Sequence, residues 1–289
     1  MTRLALGTAQ FGGPYGVTNR AGRLSADTVQ AILAQAAEHG IDTLDTAPAY
    51  GDAETLLGRA GVASWRVVTK LAAPPRDCTD IEGYVERALN ASLMRLRVDR
   101  LDGLLLHQPD DLLESGGTAL HRAVVRVKSM GLTHRIGVSV YAPAQLSALW
   151  PRFDLDMVQL PFNVFDTRFR DSGMIDRLAL GSVTVDVRSV FLQGLLLASP
   201  TSRPSFCDGF ATHWWQWDEW LAHHRSSAAR AALGFALAQP NVHNVIIGVS
   251  SVRELDELVH AANDPPAALP TGLTANDVRL IDPRTWPAQ

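Results

Sequence analysis

The stretch SADTVQAILAQAAEHGIDTLDTAPAY, residues 25–50, is one unit of a pattern that fills the chain. Val29, Ile32, Leu33, Ala36 and Ala37 share one helical face between Ser25 and His39, with Ser25 as N-cap and Gly40 as the C′ stop. The run Ile41 to Thr46 then reads as a short strand. It carries an acid, Asp45, at its end, and a phenol, Tyr50, follows in the next loop.

The same alternation continues on both sides. Strand candidates are Arg3 to Thr8, Ile41 to Thr46, Arg66 to Lys70, Leu101 to His107, Arg135 to Ser139, Met157 to Leu160, Val183 to Ser189 and Asn244 to Gly248. Helical periods fit Asp80 to Leu96, Leu120 to Met130, Ala142 to Leu149, Ala228 to Ala238 and Ser251 to Ala261. Strand and helix in turn imply a parallel sheet with right-handed crossovers. An open doubly wound sheet would show a G-x-G-x-x-G turn after its first strand. Here Gly7-Thr8-Ala9-Gln10-Phe11-Gly12-Gly13 does not match, and no helix is expected before Ser25. Eight units in 289 residues therefore predict an α/β fold of the closed (β/α)8 TIM-barrel type, one domain over residues 1–289.

Composition excludes several classes. With 46% hydrophobic and 19% charged residues the chain has material for a core. A net charge of −4 argues against nucleic acid as a partner. No apolar run reaches the roughly 18 residues of a membrane span, and Gly12, Gly13 and Pro14 interrupt the N-terminus too early for a signal peptide. Cys78 and Cys207 lack metal spacing, so a reduced, cytoplasmic setting is expected. His223, His224 and His243 have no acids at ligand spacing, and no metal is expected.

Barrel enzymes carry their catalytic groups at the C-terminal ends of the strands. Asp45, Lys70 and His107 end three successive strands, with Tyr50 in the loop after the first of them. A free phenol is a poor acid at neutral pH, but a nearby ammonium stabilises its phenolate. Lys70 could do this for Tyr50, Asp45 could pair with Lys70, and His107 could orient a carbonyl oxygen. Such a site suits carbonyl reduction, in which a cofactor must supply the hydride. Taken singly, each residue has a structural alternative: a buried ion pair, a core histidine, a loop-capping tyrosine. Their order along the chain is what those alternatives leave unexplained.

These residues and several motifs resemble the aldo-keto reductases over nearly the whole chain. Gly7-Thr8 is similar to that family's opening. Asp45 to Gly51 with Glu54, Leu57 and Gly58 is similar to its second-strand signature, and Leu105-Leu106-His107 with Pro109 to its histidine motif. Gly137 to Ser139, Val158 to Asn163, Arg188 to Leu195 and Ile247 to Ser251 fit its later strand ends. The resemblance implies a (β/α)8 barrel and an NAD(P)H-dependent oxidoreductase that reduces an aldehyde, ketone or sugar carbonyl. Tyr50 would be the general acid, Lys70 and Asp45 its supporting pair, and His107 the carbonyl orienter. Ser139 and Gln159 would bind the nicotinamide carboxamide, and Arg188 would take the place of a stacking aromatic. Ser189, Leu192, Gln193 and Gly194 would wrap the pyrophosphate. Gly248 to Glu257, including Ser250, Ser251 and Glu254, would meet the adenosine.

Two departures stand out. Val140 replaces an asparagine common in the family. In the last loop Gly248 and Glu254 occupy places where binders of a 2′-phosphate carry lysine and arginine, with Arg253 adjacent. NADPH is the family default, and NADH is the alternative. Two other functions stay open: a redox-sensing, cofactor-binding regulatory subunit, and a sugar dehydrogenase working oxidatively. The expected partner is a small carbonyl compound, and a monomer is expected. Trp214, Trp217 and Trp220, at i, i+3 spacing, read as helix packing, whereas Tyr15 and Phe11 are candidates for lining the substrate site. The Pro-rich tail after Asn263 is expected to pack loosely; the segment Pro265 to Gln289 is shorter than in many members of the family, which implies a more open pocket.

Overall fold

The computed structural model describes residues 3–17 and 22–287; Ala288 and Gln289, the end of the expected loose tail, lie outside them. Eight parallel strands close into a barrel in sequence order. They are β1 (Leu4–Gly7), β2 (Thr43–Asp45), β3 (Arg66–Leu71), β4 (Leu101–Leu106), β5 (Thr133–Ser139), β6 (Met157–Pro161), β7 (Thr184–Arg188) and β8 (Asn244–Gly248). The barrel shuts where Leu4 pairs with Val245 and Gly7 with Gly248. This is the fold expected from the alternation, and each strand falls on its sequence candidate.

Parallel strands covered by helices are buried on both faces and read as continuous apolar runs. β6 is buried at every position, as is β3 after its first residue. Outward leucines and valines pack beneath the helices, while Val68, Leu105 and Met157 form a small separate cluster. The period of two decides the rest. Residues in step with those three are Asp45, Lys70, His107, Ser139, Gln159, Asp186, Arg188 and Gly248. The polar candidates therefore share the inner face of the barrel.

The helix Ala26–Glu38 starts as expected, with the Ser25 hydroxyl accepting from the Thr28 amide at 3.1 Å. Gly40 adopts φ 73°, the left-handed stop that glycine supplies without strain. Helices Ile81–Leu96, Gly117–Ser129, Pro143–Leu149, Ala228–Leu237 and Val252–Asn263 match their sequence counterparts within a few residues.

Several expectations are corrected. A one-turn helix, Ala9–Gly12, precedes Ser25. Helices Ala53–Ala60 and Met174–Leu180 are too short for periodicity to reveal. The tail is anchored rather than loose: Leu273, Ala275, Leu280 and Ile281 are buried, and the Ala275 amide donates to the Phe165 carbonyl at 2.8 Å. A few apolar anchors among the prolines suffice for that. The aromatic helix Ala211–His224 buries Trp214 and Trp217, and Trp220 stacks on Trp217, so this cluster is packing. No described helix is long and apolar enough to cross a membrane.

Candidate active site

At the C-terminal ends of the strands the chain encloses a cleft of about 700 Å³, within the usual range for ligand sites. Its inner end holds Asp45, Tyr50, Tyr15 and Arg188. It continues past Gly7, Thr8, Ser189, Gln193 and Gly194 to Gly248, Ser250, Glu254 and Glu257. Residues 7 and 248 are distant in sequence, yet they become neighbours because β1 and β8 close the barrel.

Lys70 and Asp45 form a fully buried ion pair. The Lys70 Nζ donates to Asp45 Oδ1 at 2.7 Å, to Oδ2 at 2.8 Å and to the Thr46 carbonyl at 3.0 Å, which uses its three protons. Gln159 Nε2 donates to Asp45 Oδ1 at 2.6 Å, and the Ser139 hydroxyl donates to Gln159 Oε1 at 3.2 Å. Lys70, Asp45, Gln159 and Ser139 thus make one connected network across β2, β3, β5 and β6.

Tyr50 is held above this network by its turn. A Cβ on Gly12 would lie 1.7 Å from the Tyr50 carbonyl oxygen. Gly51 turns with φ +56°, and a Cβ there would meet the Gly12 carbonyl at 2.4 Å. Both glycines let the Ala9–Gly12 turn press against residues 50–51 and fix the phenol. The Lys70 Nζ sits 5.0 Å from the Tyr50 ring centre. His107 meets that ring edge-on, with centroids 6.1 Å apart.

The electrostatics correct one expectation. Burial, followed by the Asp45 carboxylate, pushes the Tyr50 phenol above its ordinary value, while Arg188 acts in the lowering direction. Lys70 does not bring it down, because at the phenol the carboxylate of its partner Asp45 prevails. Tyr50 therefore holds its proton at neutral pH. Burial, with Lys70 and Arg188 adding to it, pushes His107 down to about 4, so its imidazole is neutral at pH 7.

Arg188, the departure from an aromatic, lies 4.1 Å from the Tyr141 ring centre and donates to the Val140 carbonyl at 3.0 Å. Arg284 covers the same ring at 3.7 Å. Val140 is buried and offers only its carbonyl here. The loop after β7 is unusual: Ser189, Leu192 and Gln193 have positive φ, followed by Gly194 at 93°. Non-glycine residues in this region are uncommon and locally strained. Asn163 secures the loop, with Nδ2 donating to the Ser189 carbonyl at 3.0 Å and Oδ1 accepting from the amides of Phe165 and Asp166.

Not every expected residue lines the cleft. Leu192 and Phe11 are buried in the core. Ser251 caps the helix Val252–Asn263 by accepting from the Glu254 amide at 3.1 Å. Glu254 Oε2 accepts from the Ser250 amide at 2.6 Å. Together these contacts resemble a capping box, as the spacing S-x-x-E would have indicated. Sequence reasoning assigned no role to Gln10, Tyr141 or Arg284, and none to Asn163 beyond its place in the sixth-strand motif. The side chain of Gln10 lies against Gly248. For Asn163 the signal was an amide opening a turn; the other three carry no local signal.

Comparison with known proteins agrees with this architecture. The model of the "Aldo/keto reductase family" matches residues 3–267. An uncharacterized oxidoreductase of Bacillus subtilis is 27% identical over 256 residues, 80% of this chain and 81% of that protein. An aldo-keto reductase of the same organism is 27% identical over 217 residues, 71% of this chain and 63% of that one. In solved structures, the holo form of an aldo-keto reductase from Bacillus halodurans superposes with TM-score 0.72 at 21% identity, covering 92% of this chain and 88% of that chain.

Proposed function

Because this chain belongs to the aldo/keto reductase family, and is accordingly an NAD(P)-dependent oxidoreductase acting on carbonyl compounds, we propose that it reduces a small aldehyde, ketone or sugar carbonyl with Tyr50 as general acid. One observation carries this reading. Tyr50 stands at the inner end of a ligand-sized cleft, directly over the buried Asp45–Lys70 pair and against His107.

The residues fit a dinucleotide. Small residues (Gly7, Gly194, Gly248) line the cleft, and a strained loop flanks it. A bound nicotinamide dinucleotide would supply the hydride. Ser189, Gln193 and Gly194 would hold the pyrophosphate, and Ser139 and Gln159 the carboxamide. Tyr50 would present its proton to the carbonyl oxygen, and neutral His107 would hydrogen-bond the same oxygen and orient it. The resulting phenolate would form beside the Arg188 charge, which favours it.

At the far end, Glu254 and Glu257 line the cleft, while Arg253 is 85% exposed and paired with Glu257. Two carboxylates repel a 2′-phosphate and can accept from a 2′-hydroxyl, which favours NADH over the family's usual NADPH. Titration with NADH and NADPH by fluorescence, followed by a panel of carbonyls, tests the reading. Tyr50→Phe should lower reduction by a factor on the order of 10² to 10⁴ and leave cofactor affinity unchanged. If the phenylalanine variant turns over normally, another group is the acid.

A further inference from the structure

Among the described residues, the inner end of the cleft carries one positive charge without a carboxylate partner, that of Arg188. Lys70 is neutralised by Asp45, and His107, pushed down to about 4, is uncharged at neutral pH. Tyr15 and Tyr50 keep their protons, since burial raises both. Arg284 is paired with Asp282, and Arg168 with Asp166. Glu254 and Glu257 belong to the opposite end, beyond Gly248. Arg188 has no carboxylate partner among the described residues. Its guanidinium donates to the Val140 carbonyl at 3.0 Å and to the Ser189 hydroxyl at 3.3 Å, and it rests on the Tyr141 ring. These contacts fix its position without cancelling its charge.

Resting on the proposed function, we propose that Arg188 makes the cleft discriminate between the redox states of its cofactor, binding the neutral reduced nicotinamide more tightly than the cationic oxidised one. Hydride transfer requires the reacting atoms within about 3–3.5 Å of each other. The nicotinamide ring must therefore sit against a carbonyl carbon whose oxygen faces Tyr50, at the end of the cleft that Arg188 also lines. Losing a hydride leaves that ring with a positive charge. In a half-buried cleft a fixed like charge is only weakly screened, so oxidation of the ring weakens its binding. An uncharged side chain in the place of Arg188 would not exert this repulsion. During carbonyl reduction the effect hastens release of the spent cofactor. Arg188 acts here as a tuning residue on the cofactor, and no proton passes through it.

Dissociation constants of NADH, NAD⁺, NADPH and NADP⁺ measured for the wild type, Arg188→Lys, Arg188→Gln and Arg188→Met would test this. Direct fluorescence reports the reduced forms, and calorimetry the oxidised ones. The wild type should bind the reduced form more tightly. In the Gln and Met variants the oxidised-to-reduced ratio should fall about tenfold, the equivalent of 1.4 kcal/mol, chiefly through tighter binding of the oxidised form. The Lys variant, which keeps the charge, should retain the ratio. Glutamine preserves a donor toward Val140 or Ser189, and circular dichroism with thermal melts reports whether each variant is folded. A wild type that binds both redox states equally, or neutral variants whose ratio stays within about twofold of wild type, would overturn the inference. Failure of the wild type to bind any of the four would refute the proposed function instead.

Discussion

Replacing Lys70 with methionine keeps the length of the side chain and removes its charge. The pair it breaks is buried, with side-chain exposures of 1% for Lys70 and 8% for Asp45. Asp45 would keep the Gln159 amide at 2.6 Å but lose two charge-assisted hydrogen bonds. Breaking a buried pair from one side costs about 3–5 kcal/mol, because the remaining charge is stranded in a poorly polarisable interior. At about 1.6 °C per kcal/mol for a chain of 289 residues, the melting temperature should fall by about 5–8 °C. Asp45→Asn should cost a similar amount by stranding Lys70. The double variant Asp45→Asn/Lys70→Met strands neither, so its loss should be smaller than the sum of the two, with a coupling of about 2 kcal/mol. Thermal melts and urea titrations of the four proteins measure this. A Lys70→Met protein melting within about 2 °C of wild type, or strict additivity in the double variant, would refute the reasoning and show that Asp45 is well solvated by other groups.

Asp186, buried beneath the site and bonded to Asn244 Nδ2 at 2.9 Å, provides a pH test. Burial first, and Asp45 further, push its carboxyl up from 3.8 to about 7, against the opposing pull of Arg135 and Asn244. A raised folded-state value favours the fold fully below the unfolded value near 3.8, and this stabilisation is lost as pH rises through about 7. The loss is on the order of 4 kcal/mol at 1.36 kcal/mol per pKa unit. Asp186→Asn should therefore flatten the fall in stability between pH 4 and pH 7, which urea midpoints across that range would reveal; an unchanged slope would exonerate Asp186. At the other end of the cleft, Glu254→Gln should improve NADPH affinity several-fold relative to NADH. Titration of both cofactors checks this, and an unaltered ratio would mean that Glu254 serves only as a helix cap.

How much was legible in advance follows from which forces are local. The strand ends Asp45, Lys70 and His107 were readable because alternation and glycine punctuation are imprinted every few residues. Closure of the barrel follows once eight such units are counted. The Asn163 clamp, the Ala9–Gly12 turn under Tyr50 and the docking of the tail through Leu280 and Ile281 were not readable. Each depends on a partner that only the closed barrel brings near.

The sequence by itself determined the barrel, the order of its units and the inward set of polar side chains, because backbone periodicity and steric punctuation act between near neighbours. The tertiary structure decided the electrostatic state of those groups. It paired Lys70 with Asp45, left Tyr50 above its ordinary pKa and His107 neutral, and placed Arg188, without a carboxylate partner among the described residues, beside them. Desolvation and Coulomb interactions depend on depth of burial and on distances between residues far apart in the chain, and folding alone fixes both.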